Sequence, residues 1–341
     1  MSRLIEAFKN LRKQHYLKLD YKGKYAFVGI GNHSINNLYP VLNYVRLPLK
    51  YIVVNSAANA AIIDTHFAGT IGTNDFETVL KDDEITGVLI CAHPATHFNL
   101  VKKALQHNKN VFVEKPPCLT KEELQELIAV EKNSTGACLV GMQKRYSPVV
   151  DSFKKHLTGD IVSYNYRFLT GAYPEGDSIL DIFIHPLDLI GYLFGKFTVA
   201  SVQRAKKDSI FIHLLHDGFI GSIELSTDYS WKSAEESLIV NTDKGVYSMQ
   251  NLETLTFKKK PGTLFSVPLE KIKKVTEETT TLFSRNNFNP VMENNQLFTA
   301  GYYNELKNFI SISEKGKTKN LSSLTDMVLT YDLITQIKNK Q

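Results

Sequence analysis

Cysteine is scarce in this chain. Three residues, Cys91, Cys118 and Cys138, are too few for a disulfide framework among 341 positions and lack the paired spacing of a metal centre. A reducing compartment follows as the expectation. No apolar run is long enough to cross a bilayer, and the N-terminus carries no hydrophobic signal core. Glu6 and Asp20 separate it from an acid-poor transit peptide, so the expected location is cytoplasmic. Neither sign of charge dominates: 40 basic residues against 35 acidic ones leave a formal +5. The denser basic groups, Lys258–Lys260 and Lys9, Arg12 and Lys13, read as solvated lysines at a turn and on a helix face. Neither a nucleic-acid partner nor a membrane partner is expected. With 43% apolar and 22% charged residues, what remains is an ordinary globular protein long enough for two domains.

Residues 1–23 place Leu4, Ile5, Phe8 and Leu11 at helical spacing, which predicts an amphipathic helix packing on the domain that follows. Tyr25–Gly31 reads as a buried strand running into glycines, and a helical stretch follows Asn32, His33 and Ser34 as far as Val45. Strand, tight turn and helix start form the context of a dinucleotide fingerprint. Gly29 would allow the turn, and Gly31 would let the backbone approach a pyrophosphate held at the helix N-terminus. The third fingerprint position holds Ser34 in place of glycine or alanine. A second strand, Tyr51–Val54, ends at Asn55 and Ser56, where a NAD site usually places a carboxylate for the ribose hydroxyls. NADP is therefore compatible with this end, although no arginine follows to clamp its 2′-phosphate.

A third strand, Gly87–Cys91, ends at Ala92, His93 and Pro94, and His97 heads the next helix. The two histidines have i, i+4 spacing, but with no third ligand nearby a helix-capping or cofactor-edge role is the better reading, and no metal is expected. Val111–Pro117, reading VFVEKPP, is a fourth strand that stops at an acid, a base and two prolines. Carboxyl ends of parallel strands are where α/β sheets bind ligands. A fifth strand is read at Leu139–Gln143. The repeated strand and helix alternation predicts a doubly wound parallel Rossmann sheet over 24–148.

From Val149 the pattern changes. A helix at Val149–Leu157 is followed by strands with alternating polarity, and His216–Gly218 and Asp243–Gly245 mark hairpin turns. This predicts an α+β domain on a mostly antiparallel open sheet over 149–341. Within it, Asp181 and His185 are four apart, so on one helix both would project from one face, with Asp188 three residues on. A neutral imidazole can take a hydroxyl proton while hydride leaves the same carbon. Residue spacing alone favours the other reading, a polar stripe with a capping role and one satisfied histidine. Gly171–Gly176, with Tyr173, is a turn-rich loop placed to close over a ligand or merely to connect. Arg145 could bind a carboxylate or phosphate, or serve packing or an ion pair. Thr276–Leu282 and Asn286–Asn289 read as a mobile loop, and Tyr302–Ile312 and Leu324–Ile337 as closing helices.

GIGNHS at 29–34, the His97 helix start, the Glu114-Lys115-Pro116 triplet and GMQKRYSP at 141–148 together resemble the Gfo/Idh/MocA family of NAD(P)-dependent oxidoreductases, with the likeness extending over about 24–339. The resemblance implies a hydride-transfer enzyme acting on a hydroxyl or keto carbon of a sugar, polyol or sugar derivative, with NAD or NADP as cofactor. It implies cofactor contacts from Gly29, Gly31, Asn32, His33, Asn55, Ser56, Ala92, His93, His97, Glu114 and Lys115. Carried over residue by residue, Lys115 would polarise and position the substrate oxygen, His185 would act as acid/base, and Asp181 would orient substrate or His185, with Arg145 and Tyr173 as further substrate contacts. Asp188 matches the family's second aspartate. The glycine pair that often precedes the Asp-x-x-x-His pattern is here Gly176-Asp177, which leaves substrate details open. The resemblance also implies a homodimer or homotetramer. Two other activities occur on the same scaffold: a glycosidase using NAD as a transient oxidant, and a non-catalytic NAD(P)- or sugar-responsive regulator.

Overall fold

The computed structural model describes residues 2–17, 20–205, 209–274, 276–316 and 318–340. Of the extension expected over 1–23, positions 1, 18 and 19 lie outside the described residues. The polypeptide forms two compact units. The first comprises Met1–Pro117, Glu126–Leu139 and Leu306–Asn320, the second Cys118–Gln125, Val140–Glu305 and Leu321–Gln341. Each unit is thus assembled from three separate stretches of the sequence.

The first unit is built on strands β1 (Lys24–Val28), β2 (Leu49–Val53), β3 (Ile71–Thr73), β4 (Ile85–Ile90), β5 (Asn110–Glu114) and β6 (Cys138–Gly141), in the order β3-β2-β1-β4-β5-β6. The register of β1 with β2 and β4, of β2 with β3 and of β4 with β5 is parallel. Ala26–Val28, Val88–Ile90 and Val111–Val113 are buried without alternation, as strands must be when helices cover both faces of a sheet. The accompanying helices are α1 (Ser2–Leu17), α2 (Tyr39–Tyr44), α3 (Ala57–His66), α4 (Phe76–Lys81), α5 (Pro94–Gln106) and α6 (Lys121–Lys132). The helix expected at the N-terminus forms, but its apolar residues do not pack as expected: Leu4, Ile5, Phe8 and Leu11 are 49–77% exposed. Ahead of α2 the backbone winds as a π-turn over Ser34–Leu38. Pro40, which has no N–H to donate, stands just beyond it, where the helical ladder must change register.

The second unit opens with α7 (Pro148–His156) and carries strands β7 (Ile161–Leu169), β8 (Thr198–Arg204), β9 (Ser209–Leu215), β10 (Ile220–Ser226), β11 (Glu235–Thr242), β12 (Gly245–Gln250) and β13 (Thr254–Lys259). A two-stranded ribbon, β14 (Thr263–Leu264) with β15 (Val267–Pro268), precedes β16 (Thr279–Ser284). Eight strands join in the order β16-β13-β12-β11-β7-β10-β9-β8, antiparallel throughout except β7 with β10. Both expected hairpins form, β9–β10 around His216–Gly218 and β11–β12 around Asp243 and Lys244. Burial alternates along β9, so one face of the sheet is packed and the other open. The polar run at Thr276–Leu282 is not simply a loop: Thr279–Ser284 is the edge strand β16. Its threonines are β-branched and suit an extended backbone, while exposure at the edge accounts for their polarity.

Helices of the second unit include α8 (Ser178–Asp181) and α9 (Ile184–Phe194); α10 (Gln296–Thr299), α11 (Tyr302–Lys315) and α12 (Met327–Asn339) follow the sheet. No helix among the described residues is long and apolar enough to cross a membrane.

Candidate active site

In the first unit a cleft of about 1130 Å³ opens at the carboxyl ends of the strands. Ten of the eleven residues expected to contact a cofactor line it: Gly29, Gly31, Asn32, His33, Asn55, Ala92, His93, His97, Glu114 and Lys115. Gly29 has φ +89°, and a Cβ there would stand 2.4 Å from the Cys91 carbonyl oxygen, so only glycine fits where β1 turns beside β4. Gly31 differs, for a Cβ placed on it would meet nothing within 4 Å. That open space above the backbone, beside a helix N-terminus, is what close approach of a pyrophosphate requires.

Ser34 explains its own departure from the fingerprint. Its buried hydroxyl accepts the Gly31 N–H at 2.9 Å and lies 3.0 Å from the Gly31 carbonyl oxygen, pinning the loop from below. At the end of β2 the uncharged pair behaves unequally. Asn55 lines the cleft, with its amide oxygen accepting from Asn59 at 2.9 Å. Ser56 does not line it; its hydroxyl caps α3 by accepting the Asn59 N–H at 3.2 Å.

Sequence reasoning missed the apolar wall of this cleft, Ile62, Ile63, Phe67 and Phe76, because those side chains come from helices and loops between the recognisable motifs. Neither a carboxylate nor a lysine or arginine stands beside Asn55 and Asn59 among the described lining residues, whose only lysine is Lys115 at the end of β5. The residues present fit a dinucleotide: an open glycine at a helix start, an apolar wall and a polar strand end.

His33, Glu114 and Asn37 form a line of contacts at the mouth. The Asn37 amide donates to His33 Nδ1 at 3.1 Å, which leaves the ring proton on Nε2, 3.2 Å from Glu114 Oε1. Burial works against the Glu114 carboxylate. The His33 hydrogen bond and the charge of Lys115 outweigh it and hold the carboxyl below its usual range. His93 caps α5, its Nδ1 accepting the Ala95 N–H at 3.3 Å.

His97 is buried, with Nδ1 2.8 Å from the Pro116 carbonyl oxygen and Nε2 2.9 Å from that of Ala92. It ties the end of β4 to the segment just after Lys115. Burial lowers its pKa, although both carbonyls and Glu114 favour the charged ring.

In the second unit, Asp181 and His185 do not share one regular helix. Asp181 is the last residue of α8, capped by Asp177, and His185 lies in the first turn of α9. The step between them contains a wide turn in which the Phe183 N–H reaches the Ser178 carbonyl. Both side chains are half-buried. The Tyr173 hydroxyl donates to Asp181 Oδ2 at 3.3 Å, and a Cβ on Gly176 would stand 2.4 Å from that same oxygen. Tyr173 and Asp181 are thus joined side chain to side chain.

Arg145 and Asp188 are engaged elsewhere. The guanidinium donates twice to Asp188 and once to the Leu321 carbonyl, and Asp188 also accepts from Thr330 at 2.8 Å. The alternative of packing and an ion pair holds for Arg145, since all three of its nitrogens are hydrogen-bonded within the protein and its side chain is 4% exposed. Lys144, its neighbour, is likewise buried against Glu236 at 2.5 Å and over the Phe168 ring.

Comparison with known proteins agrees with this layout. The chain matches the model of an oxidoreductase family with an NAD-binding Rossmann fold, GFO_IDH_MocA, over residues 23–142, and that family's C-terminal alpha/beta domain over 171–339. It is 29% identical over 184 residues to the oxidoreductase YrbE of Bacillus subtilis, covering 49% of this chain and 52% of that one. It is 32% identical over 128 residues to the scyllo-inositol 2-dehydrogenase (NAD(+)) of the same organism, covering 34% and 37%. Such matches span about half the length of the curated relatives or less. A crystal structure of the dehydrogenase MviM from Clostridium difficile superposes with a TM-score of 0.78 at 17% identity, covering 94% of this chain and 100% of that one. Glycine loop, Lys115 strand end and two-part match converge, and the chain belongs to the Gfo/Idh/MocA oxidoreductase family.

Proposed function

We propose that the protein is an NAD(P)-dependent oxidoreductase that moves a hydride between a nicotinamide cofactor and a hydroxyl or keto carbon of a sugar, polyol or sugar derivative. The observation that carries this reading is the placement of Lys115 in the same cleft as Gly29, Gly31 and Glu114, at the carboxyl end of a parallel strand.

The bound dinucleotide supplies the hydride acceptor or donor. Gly31 and the following helix N-terminus would hold its pyrophosphate, Asn55 its ribose hydroxyls, and Ile62, Phe67 and Phe76 its adenine. With neither a carboxylate to repel a 2′-phosphate nor a cation to clamp one beside Asn55 among the described lining residues, the site accommodates either NAD or NADP.

The protein's own groups then divide the work. The Lys115 ammonium donates to the substrate oxygen and stabilises negative charge developing there. The His185 imidazole takes the hydroxyl proton during oxidation and returns it during reduction. Asp181, held by Tyr173, orients substrate or His185. In this reading residues 149–341 bind substrate and support a homodimer or homotetramer. A cytoplasmic setting belongs to the same proposal and is supported by three cysteines present as thiols.

The test is a cofactor-reduction assay with NAD and NADP against a panel of cyclitols, aldoses and acyclic polyols, paired with direct nucleotide binding. Tight nucleotide binding without turnover of any panel member would favour the regulator instead.

A further inference from the structure

The lone tryptophan of the sequence stands beside the Asp181 loop, and no step of the proposed chemistry uses it. Its indole N–H donates to the Ala172 carbonyl at 2.9 Å. A Cβ on Gly171 would lie 2.3 Å from Trp231 Cδ1 and 2.7 Å from both Cγ and Nε1, so one side of the ring rests directly on glycine backbone. Trp231 nevertheless stays 56% exposed. A large aromatic ring fixed by a hydrogen bond and close backbone contact, yet left open to water, is built to receive something flat and partly apolar. The next residue along this loop, Tyr173, donates to Asp181, so the indole is hydrogen-bonded to the same stretch of backbone that carries the polar pair.

We propose that Trp231 is a stacking platform for a saturated six-membered ring, a pyranose or a cyclitol. The axial C–H face of such a ring carries slight positive charge and complements the electron-rich indole face. Its equatorial hydroxyls project from the rim, where the Asp181 carboxylate and the Tyr173 hydroxyl oxygen offer hydrogen-bond acceptors. Gly171 is required because any side chain there would displace the indole. An acyclic polyol has the hydroxyls but no flat C–H face. The platform therefore selects ring substrates over acyclic ones, and Trp231 is a specificity-determining residue that takes no part in proton or hydride transfer. The inference rests on the oxidoreductase reading for its substrate class, but its binding test does not.

With one tryptophan in 341 residues, emission excited at the red edge, where the sixteen tyrosines do not absorb, reports on Trp231 alone. The full-length protein, with and without NAD, would be titrated with myo-inositol, glucose and the acyclic polyol sorbitol. A saturable emission change with a ring probe and none with sorbitol is the expected result. Unchanged emission with both ring probes, or an equal change with sorbitol, overturns the proposal.

For any ring substrate that is turned over, Trp231→Ala should raise KM by about tenfold with a smaller effect on kcat, and Trp231→Phe should restore most of it. An unchanged KM in a folded Trp231→Ala protein also overturns it. Should the alanine variant not fold, KM for Trp231→Phe against Trp231→Leu decides, because only phenylalanine keeps an aromatic face. Failure of the whole panel to be oxidised would sink the oxidoreductase reading while the emission titration still decides on the platform.

Discussion

Arg145 and Asp188 meet in a two-pronged ion pair, Nε to Oδ2 at 2.8 Å and Nη2 to Oδ1 at 2.6 Å, with both side chains buried. Removing one partner leaves the other charged and without its counter-ion in a dry site. Asp188→Ala should therefore destabilise the protein by about 3–5 kcal/mol, whereas a double replacement by apolar residues, Arg145→Met with Asp188→Leu, should recover more than half of the loss. Denaturant midpoints of the two variants check this. Equal losses in single and double variants would show that the pair matters through its hydrogen bonds to Leu321 and Thr330.

Lys115→Ala should bind NAD(H) or NADP(H) with little change and lower turnover by roughly a hundredfold or more, the size of lost electrostatic assistance at a reacting oxygen. Nucleotide titration and steady-state rates on one preparation separate the two effects. Near-normal turnover would remove Lys115 from the proposed chemistry.

The two loop glycines should fail in different ways. Gly29→Ala forces a Cβ to within 2.4 Å of the Cys91 oxygen at φ +89° and should lower the melting temperature. Gly31→Ala has room for its methyl, so it should fold with a near-normal melt and bind nucleotide about tenfold or more weakly, because the methyl occupies the space of the approaching phosphate. Melting curves and nucleotide affinity together distinguish them.

These glycines also show what sequence could and could not disclose. Gly29, Gly31 and Lys115 were legible because a strand, a turn and a charged strand end are local patterns, and local patterns survive in one dimension. Both hairpins of the second unit were legible for the same reason. The cap at Ser56 was hidden because capping a helix and touching a ribose ask for the same hydroxyl at the same strand end. Arg145 was ambiguous until Asp188, Leu321 and Thr330, drawn from three other parts of the sequence, were seen around one buried cluster. The short edge strand Ile71–Thr73 escaped notice because three residues with a central glycine carry almost no periodicity.

Stability should fall on mild acidification. The folded-state pKa of His97 is lowered, mainly by burial, and that of His216 is lowered in the same way. Folding thus favours the neutral rings, and the unfolded state binds the extra protons. Their contribution is complete above the ordinary histidine range near 6.5 and declines as pH falls below it toward the folded-state values. Melting temperature followed from pH 8 to about 5.5 should drop, and His97→Gln should flatten the slope. A slope unchanged in that variant would mean that the Ala92 and Pro116 carbonyls offset burial, so that His97 takes up protons equally in the folded and unfolded states.

Phe309 lies on α11, inside the Leu306–Asn320 part of the first unit, with its ring edge-on to Tyr25 at 6.2 Å and to Phe112 at 5.9 Å. Synthesis order turns this into a timing constraint. The strands bearing Tyr25 and Phe112 leave the ribosome early, but the aromatic ring that completes their packing is nearly two hundred residues behind. The nucleotide-binding half must wait, incompletely packed, until translation has passed Asn320. A fragment cut after β6 would keep the motif-bearing strands and lose the residue that closes their core.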